Sequence, residues 1–204
     1  MLLNIDIRIL QFLNGNLVNP VFDWLFDRLF DSNIGIGLLL GLGALLLWKG
    51  DVRLRLSVFM AVIAVSITDP TTHYLLKTLF ARLRPCHVIE GLRLVAGCGG
   101  LYGMPSNHAV NAFAAAGIFT FFYRRAWYLF FAAAALIGLS RIYLGKHYPS
   151  DVAVGAIFGL AFASLFVLLA TILLENISAR GYCRTYAEVV RRSRKWKKRK
   201  RIES

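Results

Sequence analysis

Three short polar segments stand out in a 204-residue chain that is 57% hydrophobic and 17% charged. They are Lys77-Thr-Leu-Phe-Ala-Arg-Leu-Arg84-Pro85, Pro105-Ser106-Asn107-His108 and Ser140-Arg141-Ile-Tyr-Leu-Gly-Lys-His147-Tyr-Pro-Ser-Asp151. Lys77, Arg84 and Arg141 are fixed cations beside long apolar runs, where an isolated charge is costly and calls for an anionic partner. The acids within reach are few, namely Asp69, Glu90 and Asp151, so the converging cations make an anion site, and arginine forks match phosphate oxygens. Ser106, after Pro105, is a good capping residue at a helix start, and a helix N-terminus itself favours phosphate. His108 in the first turn is placed to give a proton to a leaving oxygen. Asp151, four residues after His147, can hold one imidazole nitrogen and leave the other to attack. Nucleophile, orienting carboxylate, acid and electrostatic clamp are all present without calling on a metal or a cofactor.

These segments need elements to bring them together. Five apolar stretches read as membrane spans: Ile34 to Trp48, Leu56 to about Leu76, Ala109 to Tyr123, Ala126 to about Leu139, and Val152 to Leu174. The last offers 23 nearly unbroken apolar or weakly polar positions. Gly35, Gly37, Gly41 and Gly43 give the first span a smooth face for helix packing. The opening thirty residues are apolar but interrupted by Asp6, Arg8, Asn14, Asn16, Pro20, Asp23, Asp27 and Arg28, and read as an interfacial helical segment, with a sixth span as the alternative. The expected fold is therefore all-α, a polytopic membrane helical bundle of five to six transmembrane helices. The membrane-embedded domain is expected over 1–178 and a basic tail over 179–204.

The net charge of +13 is concentrated at that tail, where Arg180 to Arg201 holds eleven Lys or Arg residues against Glu188 alone. Arg53 and Arg55, Arg124 and Arg125, and the tail share one side if five spans alternate, and the positive-inside rule makes that side cytoplasmic. The charge thus reads as a membrane-orienting feature touching anionic headgroups rather than a nucleic-acid site. The three polar segments then meet the outer, periplasmic face of a cytoplasmic membrane. No cleavable signal peptide is evident, so the spans are expected to direct insertion. The three cysteines show no CxxC pair; Cys86 and Cys98 bracket one loop and are open to either a disulfide or two free thiols.

The three segments resemble the signature of the type 2 phosphatidic acid phosphatase superfamily: Lys-x6-Arg-Pro, Pro-Ser-x-His and Ser-Arg-x5-His-x3-Asp. Every specified position is matched, and the resemblance covers about residues 70 to 160. It implies a phosphohistidine mechanism: His147 attacks phosphorus, His108 protonates the departing lipid oxygen and then activates water, and Asp151 orients His147. Lys77, Arg84, Ser106 and Arg141 would hold the phosphoryl oxygens, with the Asn107 backbone N–H beside them. Many members carry Gly where this chain has Asn107, so the larger side chain is expected to narrow the site and alter substrate choice.

The expected activity is removal of phosphate from a lipid. Small size and short external loops look like members that recycle the polyprenyl carrier, making undecaprenyl diphosphate the first substrate and phosphatidylglycerophosphate, phosphatidate and lipid A 1-phosphate its competitors. Transfer of the phosphoryl group to another lipid is a second enzymatic reading. A transporter or binder of anionic lipids is the rival from another class, though the inverted repeats it predicts are not seen. Asp69 and His73 share a helical face with Lys77, either tuning it, lining the lipid path or joining helices. Arg82, Arg93 and Lys146 are candidates for a second phosphate or for headgroups. Tyr102, Tyr143 and Tyr148 fit an aromatic belt.

Overall fold

A computed structural model describes residues 2–30, 33–95 and 97–179, so the basic tail lies outside the described residues. The described chain is mostly helical and contains no strand. Its helices are α1 (Leu2–Gln11), α2 (Pro20–Phe30), α3 (Asn33–Lys49), α4 (Val52–Pro70), α5 (Lys77–Phe80), α6 (Asn107–Phe122), α7 (Trp127–Tyr143) and α8 (Pro149–Ala179). Among the described residues, those up to Ser164 form one compact unit and those from Leu165 onward belong to a second.

The five expected spans correspond to α3, α4 with its continuation, α6, α7 and α8. Arg124–Tyr143 and Pro149–Leu173 are long and apolar enough to cross a bilayer, or three segments are if the bent pair α2 and α3 counts as one. At 17 and 16 residues, α3 and α6 fall short of the roughly 20 that a perpendicular span needs. Large apolar side chains such as Leu39, Phe59, Leu129 and Ile157 point outward, as a lipid-facing surface requires.

Each helix begins or ends for a local reason. Asp51 caps α4 by accepting from the Leu54 N–H at 2.8 Å. Pro70 closes α4, and since its ring removes an N–H the helix widens into a π-turn over Thr71–Leu76 before α5 resumes at Lys77. Ala81 in the left-handed region ends α5, its N–H bonded to the Lys77 carbonyl at 2.9 Å. Pro149 starts α8, where its missing N–H costs nothing.

Of the span-one glycines, Gly35 marks a close approach, since a Cβ there would collide with the Leu29 carbonyl of α2. Gly37, Gly41 and Gly43 face nothing within 4 Å. Other tight seams run along α8: a Cβ on Gly155 would sit 2.9 Å from the Ala109 Cβ and from the Ser106 carbonyl, and one on Gly159 would collide with the Val110 carbonyl. Gly117 of α6 and Gly138 of α7 meet Ala163 and Val152 of α8 in the same way, each at 2.6 Å. Glycine is needed at these crossings because the backbones leave no room for a methyl group.

The two ends of the bundle differ. At one, the Arg53 guanidinium lies over the Tyr123 ring at 4.7 Å, bringing the α3–α4 and α6–α7 turns together with their arginines. At the other, Asn107 at the head of α6 bonds Asp69 at the far end of α4. The N-terminal helices pack at this second end and are partly buried. Leu10 is enclosed with Ile142 and Tyr148, and Phe26 with Tyr143 and Leu144. The remainder of α2 keeps Val21, Phe22 and Trp24 exposed, the amphipathic character expected of an interfacial helix.

Candidate active site

The nucleophile candidate is set by a tight turn. After α7 ends at Tyr143, the Leu144 N–H bonds the Ser140 carbonyl, and the Lys146 and His147 N–H groups both return to the Arg141 carbonyl at 3.1 and 3.3 Å. The reversal requires Gly145 at φ +75°, with the Arg93 carbonyl and Asn14 amide pressed against it. His147 is 2% exposed and Asp151, one turn into α8, is fully buried. The His147 Nδ1 faces the Asp151 Oδ2 at 3.5 Å, and its Nε2 faces the Arg84 guanidinium at 3.3 Å. One nitrogen is thus turned to a carboxylate and the other to a cation of the anion site. The Nδ1 separation is looser than a formed hydrogen bond, a common state of catalytic pairs without substrate.

Arg84 reaches His147 because its strand-like segment doubles back. The Arg84 N–H bonds the Leu101 carbonyl at 3.1 Å, the Gly103 N–H bonds the Arg82 carbonyl at 2.8 Å, and Leu83 and Tyr102 form an antiparallel bridge. Gly103 is required here, since a Cβ would stand 2.9 Å from the Asp151 Oδ2. The loop between is closed by a Cys86–Cys98 disulfide with its Cα atoms 6.0 Å apart, which resolves the alternative left open by the sequence. Gly99, beside Cys98, is so placed that an added Cβ would stand 3.6 Å from the Arg84 guanidinium. The ligand atoms of Cys86, His87 and Cys98 also gather within 4.8 Å, a group that sequence spacing did not suggest, but its two sulfurs are bonded to each other and offer no thiolate.

The remaining candidates converge on the same place. Ser106 occupies the cap position of α6, its N–H bonded to the Asp151 carbonyl at 3.1 Å. Its hydroxyl makes no cap bond and, fully buried, has no hydrogen-bond partner among the described residues. A buried hydroxyl in that condition fits a missing anion. The exposed His108 carries its Nε2 3.5 Å from an Arg141 nitrogen. Arg141 is 1% exposed and Lys77 6% exposed. Burial, then the Arg84, Lys77 and Arg141 charges, hold the His147 imidazole well below its ordinary value of 6.5. It is therefore neutral, with a free lone pair, at physiological pH.

The larger Asn107 side chain is held away from the anion site: its Nδ2 donates to the Asp69 Oδ1 at 3.0 Å, and Asn111 donates to the same oxygen at 2.8 Å. Asp69 thus joins α4 to α6, while His73 packs edge-on against Tyr74. Arg82 and Arg93, the candidates for a second phosphate, both pair with carboxylates. Arg93 pairs with Asp23 at 2.8 Å, and Arg82 pairs with Asp151 at 2.8 Å and Asp6 at 2.7 Å. Lys146 is buried. Asp6, Ser150 and Tyr148 around Arg82 were not read from the sequence as part of the site. The available signal was an acid in an apolar N-terminal stretch, which requires a partner.

A cradle of two buried cations, Lys77 and Arg141, with the half-buried Arg84, a buried free hydroxyl, a neutral imidazole backed by a carboxylate, and a second, exposed imidazole suits transfer of a phosphoryl group. Known proteins point the same way. Over 169 residues the chain is 29% identical to a lipid A 4'-phosphatase of Bacteroides thetaiotaomicron, covering 76% of this chain and 72% of that one. It is 28% identical to the bacitracin transport permease protein BcrC of Bacillus licheniformis, covering 81% and 79%. The crystal structure of Aquifex aeolicus LpxE superposes with a TM-score of 0.61 at 25% identity, over 79% of this chain and 93% of that one. A phosphatidylglycerolphosphate phosphatase structure from Bacillus subtilis shares the fold, with a TM-score of 0.60 over 83% and 86% at 21% identity. Residues 53–173 match the PAP2 superfamily, and with more than half of its length inside that match the chain belongs to this superfamily of membrane lipid phosphatases.

Proposed function

We propose that this protein hydrolyses a phosphate from a membrane lipid through a phosphohistidine formed on His147, without a metal ion. The observation that carries the reading is the opposed setting of the two His147 nitrogens, Nδ1 toward Asp151 and Nε2 toward Arg84. In the first step the Nε2 lone pair attacks phosphorus and the bond from phosphorus to the lipid oxygen breaks, with His108 giving that oxygen a proton. Arg84, Arg141, Lys77, the Ser106 hydroxyl and the N–H groups at the head of α6, Asn107 included, hold the phosphoryl oxygens as charge builds on them. Asp151 stabilises the imidazolium that results. In the second step a water oxygen attacks phosphorus, His108 accepts its proton, the P–N bond breaks and phosphate leaves. The guanidinium and ammonium groups supply the positive charge that a metal supplies in other phosphatases.

The chain reads as five spanning helices, α3, α4, α6, α7 and α8, with α1 and α2 at the interface. The site faces the outer side of the cytoplasmic membrane and the tail the cytoplasm. Two features support this orientation: a disulfide beside the site, as expected in an oxidising compartment, and the paired arginines at the other end.

Undecaprenyl diphosphate is the first substrate, cleaved to undecaprenyl phosphate, on the strength of the small chain and short outer loops. Lipid A phosphates form the second reading, favoured by the 29% identity to a lipid A 4'-phosphatase. The test is phosphate release by detergent-purified protein with a chelator present, from undecaprenyl diphosphate, lipid A, phosphatidylglycerophosphate and phosphatidate, beside a His147→Ala variant. Release from one lipid that is lost in the variant supports the reading and names the substrate. Release unaffected by His147→Ala refutes the phosphohistidine, and tight retention of a lipid with no release points to transport or binding.

A further inference from the structure

Arg82 lies inside the Lys-x6-Arg spacing but points away from the anion cradle. One guanidinium nitrogen donates to the Asp151 Oδ1 at 2.8 Å and also to the Ser150 hydroxyl; the other donates to the Asp6 Oδ2 at 2.7 Å. Its plane lies 4.2 Å from the Tyr148 ring centre. Asp6, 5% exposed on α1, accepts in addition from the Ser150 N–H at 2.9 Å and from the Ser150 hydroxyl. Asp151 therefore has one oxygen on Arg82, and the other on the Tyr148 N–H at 3.0 Å and facing His147. A carboxylate that orients an imidazole must itself be fixed, and this one is fixed by a fork whose far prong ends on the N-terminal helix.

We propose that Arg82 and Asp6 are positioning residues: Arg82 holds Asp151 in the rotamer that orients His147, and Asp6 holds Arg82. The first helix is by this account a working part of the active site. The proposal rests on the reading of His147 and Asp151 given above, and it extends that reading to residues that touch neither phosphate nor the leaving oxygen. Burial pushes the Asp6 carboxyl up, but bonds from Ser150 and Arg82 outweigh it and hold the group below the usual carboxylate range, so Asp6 is an anion wherever the enzyme works. A lysine cannot take the place of Arg82, because one ammonium does not span two carboxylates in plane.

The two substitutions carry opposite electrostatic signs. His147 faces Arg84, Lys77 and Arg141 as cations and Asp151 as its anion, with His108 beyond Arg141; Asp151 faces Arg82, Lys77, Asp6 and the Tyr148 phenol. Removing the Arg82 charge makes both His147 and Asp151 hold protons more tightly, whereas removing the Asp6 charge does the reverse.

The experiment measures kcat/KM against pH for Arg82→Gln, Arg82→Lys and Asp6→Asn, alongside 15N NMR titration of the His147 imidazole in detergent, assigned with His147→Ala. The expected result is a fall in kcat of about 10- to 100-fold in Arg82→Gln, the range seen when the partner orienting a catalytic group is lost. Its acid limb and His147 titration move up by at least about half a pH unit. Asp6→Asn moves both down, and Arg82→Lys loses about tenfold in kcat with little movement, since charge is kept and the fork is lost. In the two variants that remove a charge, Arg82→Gln and Asp6→Asn, lower amplitude with the limb and the titration unmoved overturns the proposal, because a purely structural role reduces the amount of active enzyme and leaves proton affinities alone. The NMR titration decides the point even if His147→Ala keeps its activity, an outcome that refutes the phosphohistidine reading separately. If Arg82→Gln fails to fold, the downward movement in Asp6→Asn remains as the deciding measurement, and its absence overturns the proposal.

Discussion

Replacing Gly155 by alanine removes no functional group, yet it should disable the site. Gly155 lies one turn beyond Asp151 on α8, and its missing Cβ is where the first turn of α6 comes closest. An added methyl carbon would stand 2.9 Å from the Ala109 Cβ and 2.9 Å from the Ser106 carbonyl oxygen. Carbon atoms settle at about 3.5–4.0 Å, so the helices must part by roughly 0.6–1.1 Å. Neither contact is the far end of a flexible side chain, so the separation falls on the backbones. Ser106, Asn107 and His108 move with α6, and Asp151 stays with α8. Misplacement by about 1 Å costs on the order of 100-fold in rate, so kcat should fall about 10- to 100-fold. Overpacking itself costs about 1–3 kcal/mol of stability. Gly117→Ala separates the two effects: its methyl group would meet Ala163 at 2.6 Å, an equally hard clash, but eleven residues and about 16 Å along α6 from Ser106. Gly41→Ala, which meets nothing within 4 Å, is the neutral control. The assay is phosphate release from mixed micelles together with the thermal midpoint of each purified variant. Wild-type kcat in Gly155→Ala refutes the argument, as does a loss in Gly117→Ala of equal size.

The low proton affinity of His147 predicts that, once substrate ionisation is corrected for, the acid limb of kcat/KM lies below pH 6.5; a limb at or above 6.5 contradicts it. The sign for stability agrees: the unfolded imidazole takes a proton near pH 6.5 and the folded one does not, so His147 destabilises the protein progressively as pH falls from 6.5 toward its folded value, which thermal midpoints across that window will register. Cys86→Ser or added reductant frees the loop carrying Gly99 against Arg84 and should raise KM about three- to tenfold with a smaller change in kcat, and equal kinetics in both states would show that the tether is irrelevant. Asn107→Gly removes both bonds to Asp69 and puts glycine in the first turn of α6, so stability should fall by about 1–2 kcal/mol while the ratio of kcat/KM for lipid A and undecaprenyl diphosphate stays unchanged, because the side chain is turned away from the anion site; a shifted ratio with an unmoved thermal midpoint would contradict this.

The proximity of the candidate residues was legible because the proposed chemistry calls for particular residue types at fixed spacings. Four residues separate His147 from Asp151, as one helical turn requires, and a proline opens the helix that carries the acid. The helices were legible from apolar length, and the five apolar stretches fall within a few residues of α3, α4, α6, α7 and α8, although two segments, or three with the bent pair, are long and apolar enough to cross a bilayer among the described residues. What periodicity could not supply was the identity of the close contacts. Glycines crowded into α3 attract the eye, whereas Gly155 and Gly159 are scattered along an otherwise ordinary apolar run and reveal themselves only when α6 is laid against them. The pairing of Cys86 with Cys98 was equally open, since twelve residues of separation permit a disulfide without demanding one.

The first thirty residues show why polar interruptions in an apolar stretch resist reading from sequence. Asp6, Asn14 and Asp23 spoil a spanning helix, and the economical conclusion is a segment lying on the surface. In the folded chain each of them has a distant partner: Asp6 takes Arg82, Asn14 donates to the Arg93 and Tyr143 carbonyls at 2.8 Å each, and Asp23 takes Arg93 and the Tyr143 hydroxyl. Every one of these partners lies in, or next to, the segments that build the active site, more than sixty residues away in the chain. A buried or half-buried polar side chain is retained only where its hydrogen-bond partners are in place, so the buried Asp6 and Asn14 and the half-buried Asp23 fix the N-terminal helices against the α7–α8 turn more specifically than apolar burial of Leu10 and Phe26 alone would. The polar residues that interrupt this apolar stretch are thus the ones that attach it to the end of the bundle that carries the candidate site.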